Sequence, residues 1–222
     1  MSEIKLPKPT AMDLVHRVVK AGLSAVPVVG GPTAELFDYF IRPPLSKRQD
    51  EFLYSLAVGL EQLQKKGIVL EKLNENPKFV TVVTQAMLIS LRNHQKEKLE
   101  ALQSAILNAT TSDDTDLDIE MIFLNLIDEF TPSHLELLDY LDTNEFNIKG
   151  IGLEKYITPD IYNAVKSFKP KFEDVGFFNL VIKDLVDRGL VNPMTISEEE
   201  EVLSKVTTNL GERFLKYIRF SG

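Results

Sequence analysis

Residues 76–108, NPKFVTVVTQAMLISLRNHQKEKLEALQSAILN, carry the pattern that decides the fold. Phe79, Val83, Met87 and Leu91 fall one helical turn apart, and the stripe resumes at Leu99, Leu102 and Ile106. That is the period of an amphipathic helix, not the alternation of a strand. Asn76 and Pro77 open the stretch as a helix opens, with a side-chain acceptor at the cap and then a residue that has no N–H to satisfy. One long helix ending near Asn108 is predicted. Its middle, Arg92 to Lys98, is polar all round, so this part is expected to project into water or to meet a polar partner.

Upstream the same period continues. Phe52, Leu56, Leu60 and Leu63 mark one face of a helix for which Ser46 offers a cap and Lys65-Lys66-Gly67 a stop, with a short helical piece at 69–73 after it. Before Pro43-Pro44, a stripe from Leu14 to Val26 stops at Pro27, a Val-Val-Gly-Gly-Pro turn follows, and Leu36, Phe37, Phe40 and Ile41 mark a second short helix. This αα-hairpin over residues 14–41 is unusually apolar around its turn. Val26, Val28, Val29, Gly30, Gly31, Leu36 and Phe37 are its candidate interaction residues. A buried hairpin in a bundle is one reading and a segment that leaves the bundle to seal an oligomer or enter a bilayer is the other. Glu35 and Asp38 oppose steady residence in lipid, so insertion would have to be triggered.

Downstream, residues 110–116 combine poor helix formers with a charge run and read as a linker, dividing the chain into a helical bundle over 1–112 and a second domain over 113–222. Helices are predicted over 117–130, over 132–141 with Thr131 as the cap, over 158–167 and over 174–188. Two short strand-like pieces and a closing helix over 210–218 follow. The fold class is therefore mainly α, an N-terminal helical bundle followed by a winged-helix-like C-terminal domain.

Composition narrows the function. The 222 residues are 44% hydrophobic, ample for a core, and the net charge of -8 argues against a general affinity for nucleic acid or anionic membranes. The charge is uneven: 14 basic against 11 acidic residues over 1–110, hence +3, and 11 against 22 over 111–222, hence -11. With no cysteine there is no disulfide framework and no thiolate chemistry, which fits a reducing, cytoplasmic setting. Neither a signal peptide nor a membrane span is indicated.

A search for catalytic patterns returns little. His16, His94 and His134 stand on different predicted helices without metal-ligand spacing, so hydrogen-bonding or solvated roles are expected for the last two. Gly30-Gly31 lacks the Lys-Ser/Thr of a phosphate loop and reads as a turn. No nucleophile elbow is present, and carboxylate pairs such as Asp113-Asp114 and Asp128-Glu129 match ordinary solvated faces. Asn108-Ala109-Thr110 is a formal glycosylation sequon read as a chance tripeptide. No cofactor or metal is expected and the protein reads as a non-enzyme.

Lys47, Arg48, Arg92, Lys96, Lys183 and Arg188 are the candidate contacts to a partner or to nucleic acid. On the helix over 174–188, Lys183 and Arg188 are offset by Glu173, Asp174, Asp184 and Asp187, a balance that repels phosphate. Phe177 and Phe178 share that helix with Val181, Ile182 and Leu185 and read as core residues instead of base-stacking platforms. A protein-contact module is favoured, and a DNA-binding winged helix remains the alternative.

Two resemblances accompany these patterns. Residues 183–191, KDLVDRGLV, with 206–215, VTTNLGERFL, resemble the third helix and wing of many bacterial winged-helix domains, which implies fold and not function. The order of Arg42-Pro-Pro-Leu-Ser-Lys-Arg48, then 98–108, then Phe130-Thr-Pro-Ser-His-Leu-Glu-Leu-Leu138 resembles the bacterial abortive-infection alpha family. That resemblance spans about residues 40–140, departs at the apolar hairpin, and implies a role in defence against phage without transferring catalytic residues. The expectation is a cytoplasmic, non-enzymatic defence protein acting through protein partners or self-association, with membrane contact only when triggered. The alternatives are a winged-helix transcriptional regulator and a pure scaffold.

Overall fold

Asn76 shows how local chemistry sets the helices. Its side-chain oxygen accepts from the amides of Lys78 and Phe79, at 3.0 and 3.2 Å, with Pro77 in the first turn. The computed structural model describes residues 42–73, 75–110, 116–148, 159–192 and 202–219. The hairpin over 14–41, with Val26, Val28, Val29, Gly30, Gly31, Leu36 and Phe37, lies outside the described residues.

The chain is mainly helical. Its elements are α1 (Arg42–Lys65), α2 (Leu70–Leu73), α3 (Pro77–Arg92), α4 (Lys96–Ala109), α5 (Leu117–Glu129), α6 (Pro132–Thr143), β1 (Phe146–Ile148), α7 (Pro159–Phe168), a 3₁₀ turn (Pro170–Glu173), α8 (Val175–Asp187), β2 (Val202–Ser204) and α9 (Asn209–Ile218). They fall into two compact units, one of Met1–Glu129 with Tyr217–Gly222 and one of Phe130–Lys216.

In the first unit α1 starts at Arg42, so Ser46 is not its cap. Pro43 and Pro44 occupy the opening turn, where a missing N–H breaks no helical hydrogen bond. Phe52, Leu56, Leu60 and Leu63 are buried as their spacing predicts. The helix stops at Gly67, whose φ of 99° suits glycine and whose amide bonds the Gln64 carbonyl.

The predicted single helix over 76–108 is two. Asn93 leaves helical geometry at φ -111°, ψ 140°, its side-chain amide donates back to the Ile89 carbonyl at 2.9 Å, and α4 resumes after Gln95. The polar stretch is thus the turn of a helical hairpin in which α3 packs on α4, and α1 and α5 pack against both. α5, expected in the second domain, buries Phe123, Leu124, Leu126 and Ile127 with the first unit. Contacts therefore divide the chain after Glu129, not at residue 112.

In the second unit α6 packs on α8, and the 3₁₀ turn joins α7 to α8. Asp174 caps α8 through the amides of Gly176 and Phe177, and Gly189, at φ 71°, closes it. Phe172, Phe178, Val181, Ile182, Leu185 and Phe214 form the centre of the core. Phe178 is thus a core residue, and Phe177 is half-buried against the Phe172 ring, with centroids 5.8 Å apart. Of the strand-like pieces expected after α8, β2 forms, and its antiparallel partner is β1, in the register Phe146↔Ser204, Asn147↔Leu203, Ile148↔Val202. An isolated bridge joins Val191 to Thr207.

Candidate functional surfaces

The basic segment around the α3–α4 turn gathers on Asp128, near the end of α5. Arg92 holds Asp128 Oδ2 at 2.6 Å, the Asn93 amide donates to Oδ1 at 3.2 Å, and Lys98 Nζ donates to the Asp128 backbone carbonyl at 2.6 Å. Cations at a helix C-terminus meet the negative end of its dipole. Lys98 is buried, and that burial lowers its pKa from the ordinary lysine value, with the Asp128 charge opposing and the Arg92 charge adding to the shift. The turn is a clamp on α5, and Arg92 is one of its members.

Three of the remaining basic candidates have acidic partners on their own helices. Lys47 lies 3.8 Å from Glu51, Lys96 lies 3.3 Å from Glu100, and Lys183 pairs with Asp187. Arg188 is exposed just beyond α8. Of Arg48 only the helical backbone is described.

A second polar group is enclosed in the first unit. Glu120, fully buried in the first turn of α5, pairs with Lys78 Nζ at 3.1 Å. The Tyr217 hydroxyl is buried with no hydrogen bond, and burial and then the Glu120 charge push its pKa well above the ordinary phenol value. Asn108 Nδ2 donates to the carbonyls of Tyr217 and Arg219, at 2.8 and 3.2 Å. The sequon asparagine therefore holds the backbone at Tyr217 and Arg219, and a glycan there would take one of the two amide hydrogens that make these bonds. The Lys78–Glu120 pair joins α3 to the first turn of α5.

In the second unit His134, 7% exposed, is the third residue of the α6 capping box. Its Nδ1 accepts from the Thr131 backbone amide at 3.2 Å, with the Thr131 hydroxyl 2.9 Å away, while Nε2 lies 3.3 Å from Asp184 Oδ2. An amide can only donate, so Nδ1 is the acceptor and Nε2 carries the proton offered to Asp184. Phe130 stacks flat on the ring at 4.8 Å. The hydroxyl–imidazole–carboxylate order is superficially that of a hydrolase triad. The acceptor nitrogen is occupied by a backbone amide and the ring is enclosed, so the imidazole caps the helix.

Two surfaces remain. Lys169 and Lys171 both reach Glu136, at 3.5 and 2.5 Å, beside a Phe168 ring stacked on Tyr140 at 4.3 Å. Sequence reasoning missed this cluster because Glu136 is more than thirty residues away. The other is the outward face of α8, where Val175 is 53% and Leu180 57% exposed and where Asn179, Lys183 and Asp187 also reach solvent. Its lysine is held by an aspartate on the same face.

Among the described residues no group of three or more His, Asp or Glu side chains could hold a metal ion, and no helix is long and apolar enough to cross a membrane. No protein-family model matches the chain, and no curated protein or solved structure matches it.

Proposed function

We propose that this is a non-enzymatic protein that works by binding other proteins, and that the outward face of α8 is its docking face. The observation that carries the reading is the composition of that face. Exposed Val175 and Leu180 flank a Lys183 whose charge is cancelled by Asp187, and Asp174 and Asp184 sit beside it. A phosphate backbone requires unopposed cations there, whereas a protein partner requires apolar area with a polar rim. The order helix, β1, α7, α8, β2, with β1 antiparallel to β2, supports a winged-helix-like reading of this unit. The resemblance to the abortive-infection alpha family supports a cytoplasmic setting in bacterial anti-phage defence, where partner binding releases the 14–41 hairpin for self-association or membrane contact.

The test is a phage-challenge assay on cells expressing the chain, alongside fluorescence anisotropy with duplex DNA at low salt. Protection lost in Val175→Asp and Leu180→Asp variants that still fold, with no DNA binding, is the expected result. Absence of protection in the parent chain overturns the defence reading. The element order also favours the second reading, a DNA-binding regulator. Salt-dependent binding abolished by Lys183→Ala or Arg188→Ala would establish it in place of the first.

A further inference from the structure

The outward face of α1 carries a charge pattern that the core of its unit does not use. Tyr54 is 65% and Val58 39% exposed, and Asp50, Glu51, Gln62, Lys65 and Lys66 are exposed with them. Helical spacing places residues 51, 54, 58 and 65 within about 60° of one another. Lys66 continues the helix by donating its amide to the Gln62 carbonyl at 3.2 Å. The signs are ordered about Val58, with two acids two turns before it and two lysines two turns after.

We propose that this face is a two-fold self-association seam in which α1 of a second copy packs antiparallel across Val58. In that register Val58 meets its own copy, Tyr54 covers the stem of Gln62, and Glu51 faces Lys65, the last two pairs each occurring twice by symmetry. The charges select the register. An axis between Tyr54 and Val58 would set Lys47 against Lys65 and Glu51 against Glu61, and an axis on Tyr54 would press Val58 onto Asp50. A parallel arrangement would oppose every charge to itself. With the axis on Val58, Glu61 falls at the level of Ser55 and Lys47 falls beyond the end of the partner helix, which stops at Gly67, so no like charges face each other. The Lys47–Glu51 pair within one helix, 3.8 Å apart with both side chains more than two-thirds exposed, is too solvated to compete. One helical stripe buries less than a standard interface, so the association is weak and reversible. It is independent of the α8 face, which belongs to the other unit.

Sedimentation equilibrium of the full chain at low salt, from about 1 to about 100 µM, tests this. A reversible monomer–dimer equilibrium is expected, weakened about tenfold or more by Val58→Asp, a surface change whose unaltered fold is checked by circular dichroism. Glu51→Lys and Lys65→Glu each weaken it, and the E51K/K65E double variant restores it, because the swapped charges still face each other across the axis. A monomer throughout the range assigns the face to a different partner and overturns the proposal. Dimerisation indifferent to Val58→Asp, or single charge changes without rescue in the double variant, overturns it equally.

Discussion

His134 and Asp184, fifty residues apart in sequence, meet at 3.3 Å between Nε2 and Oδ2, and the bond ties the start of α6 to α8. The direction of that bond is imposed from the other side of the ring, where the Thr131 amide requires Nδ1 to accept. A residue whose local role is to cap a helix thereby also makes a tertiary contact.

His134→Ala removes the cap partner, the Phe130 stacking and the Asp184 contact together, and is expected to cost about 2 to 3 kcal/mol. Asp184→Ala, at a half-exposed carboxylate, should cost only about 0.5 kcal/mol. Urea unfolding midpoints distinguish the two. Equal effects would show that the Asp184 contact, and not the cap, dominates.

Glu120→Ala removes the fully buried carboxylate that pairs with the Lys78 ammonium and should destabilise by about 3 to 5 kcal/mol. Replacing both partners, as in Lys78→Met with Glu120→Leu, should recover most of that loss, since neither charge is then taken out of water. A double-mutant cycle by chemical denaturation measures the coupling.

Tyr217 makes stability depend on alkaline pH. Its folded-state pKa is raised above the ordinary value of 10.0, by burial and by Glu120. The folded state therefore keeps a proton that the unfolded state releases. The stabilisation is fully present below pH 10.0 and is lost progressively as the pH rises above it. Tyr217→Phe should abolish this part of the alkaline loss. At neutral pH it should be neutral or stabilising by up to about 1 kcal/mol, because the hydroxyl it removes is buried without a hydrogen bond. Denaturation at pH 7 and above pH 10 in both chains is the measurement.

Gly211 lies where a Cβ would come within 2.3 Å of the Leu190 carbonyl oxygen and 2.7 Å of Thr207 Cγ2. Backbone cannot swing aside as a side chain can, so Gly211→Ala should cost about 2 kcal/mol or more despite the better helix propensity of alanine. A thermal melt no lower than that of the parent chain would contradict this packing.

Much of the helical pattern was legible because its signals are local. Caps at Asn76 and Thr131, the stop at Gly67, and the apolar stripes of α1 and α8 act within a turn or two of their own positions. The break in the middle of residues 76–108 was not legible, since a polar stretch reads the same whether it is an exposed helix or a turn. β1 was missed because three residues are too few to show alternation, and it forms against β2, more than fifty residues away.

The sequence by itself determined a mainly helical chain, where most of its helices start and stop, and an uneven charge. Only the tertiary structure decided that Arg92 and Lys98 serve Asp128, that Glu120 is enclosed with Lys78, and that α5 belongs with the first unit. Periodicity and capping depend on neighbours a few residues away. What a charge does depends on which distant group it meets and on how much water is excluded around them.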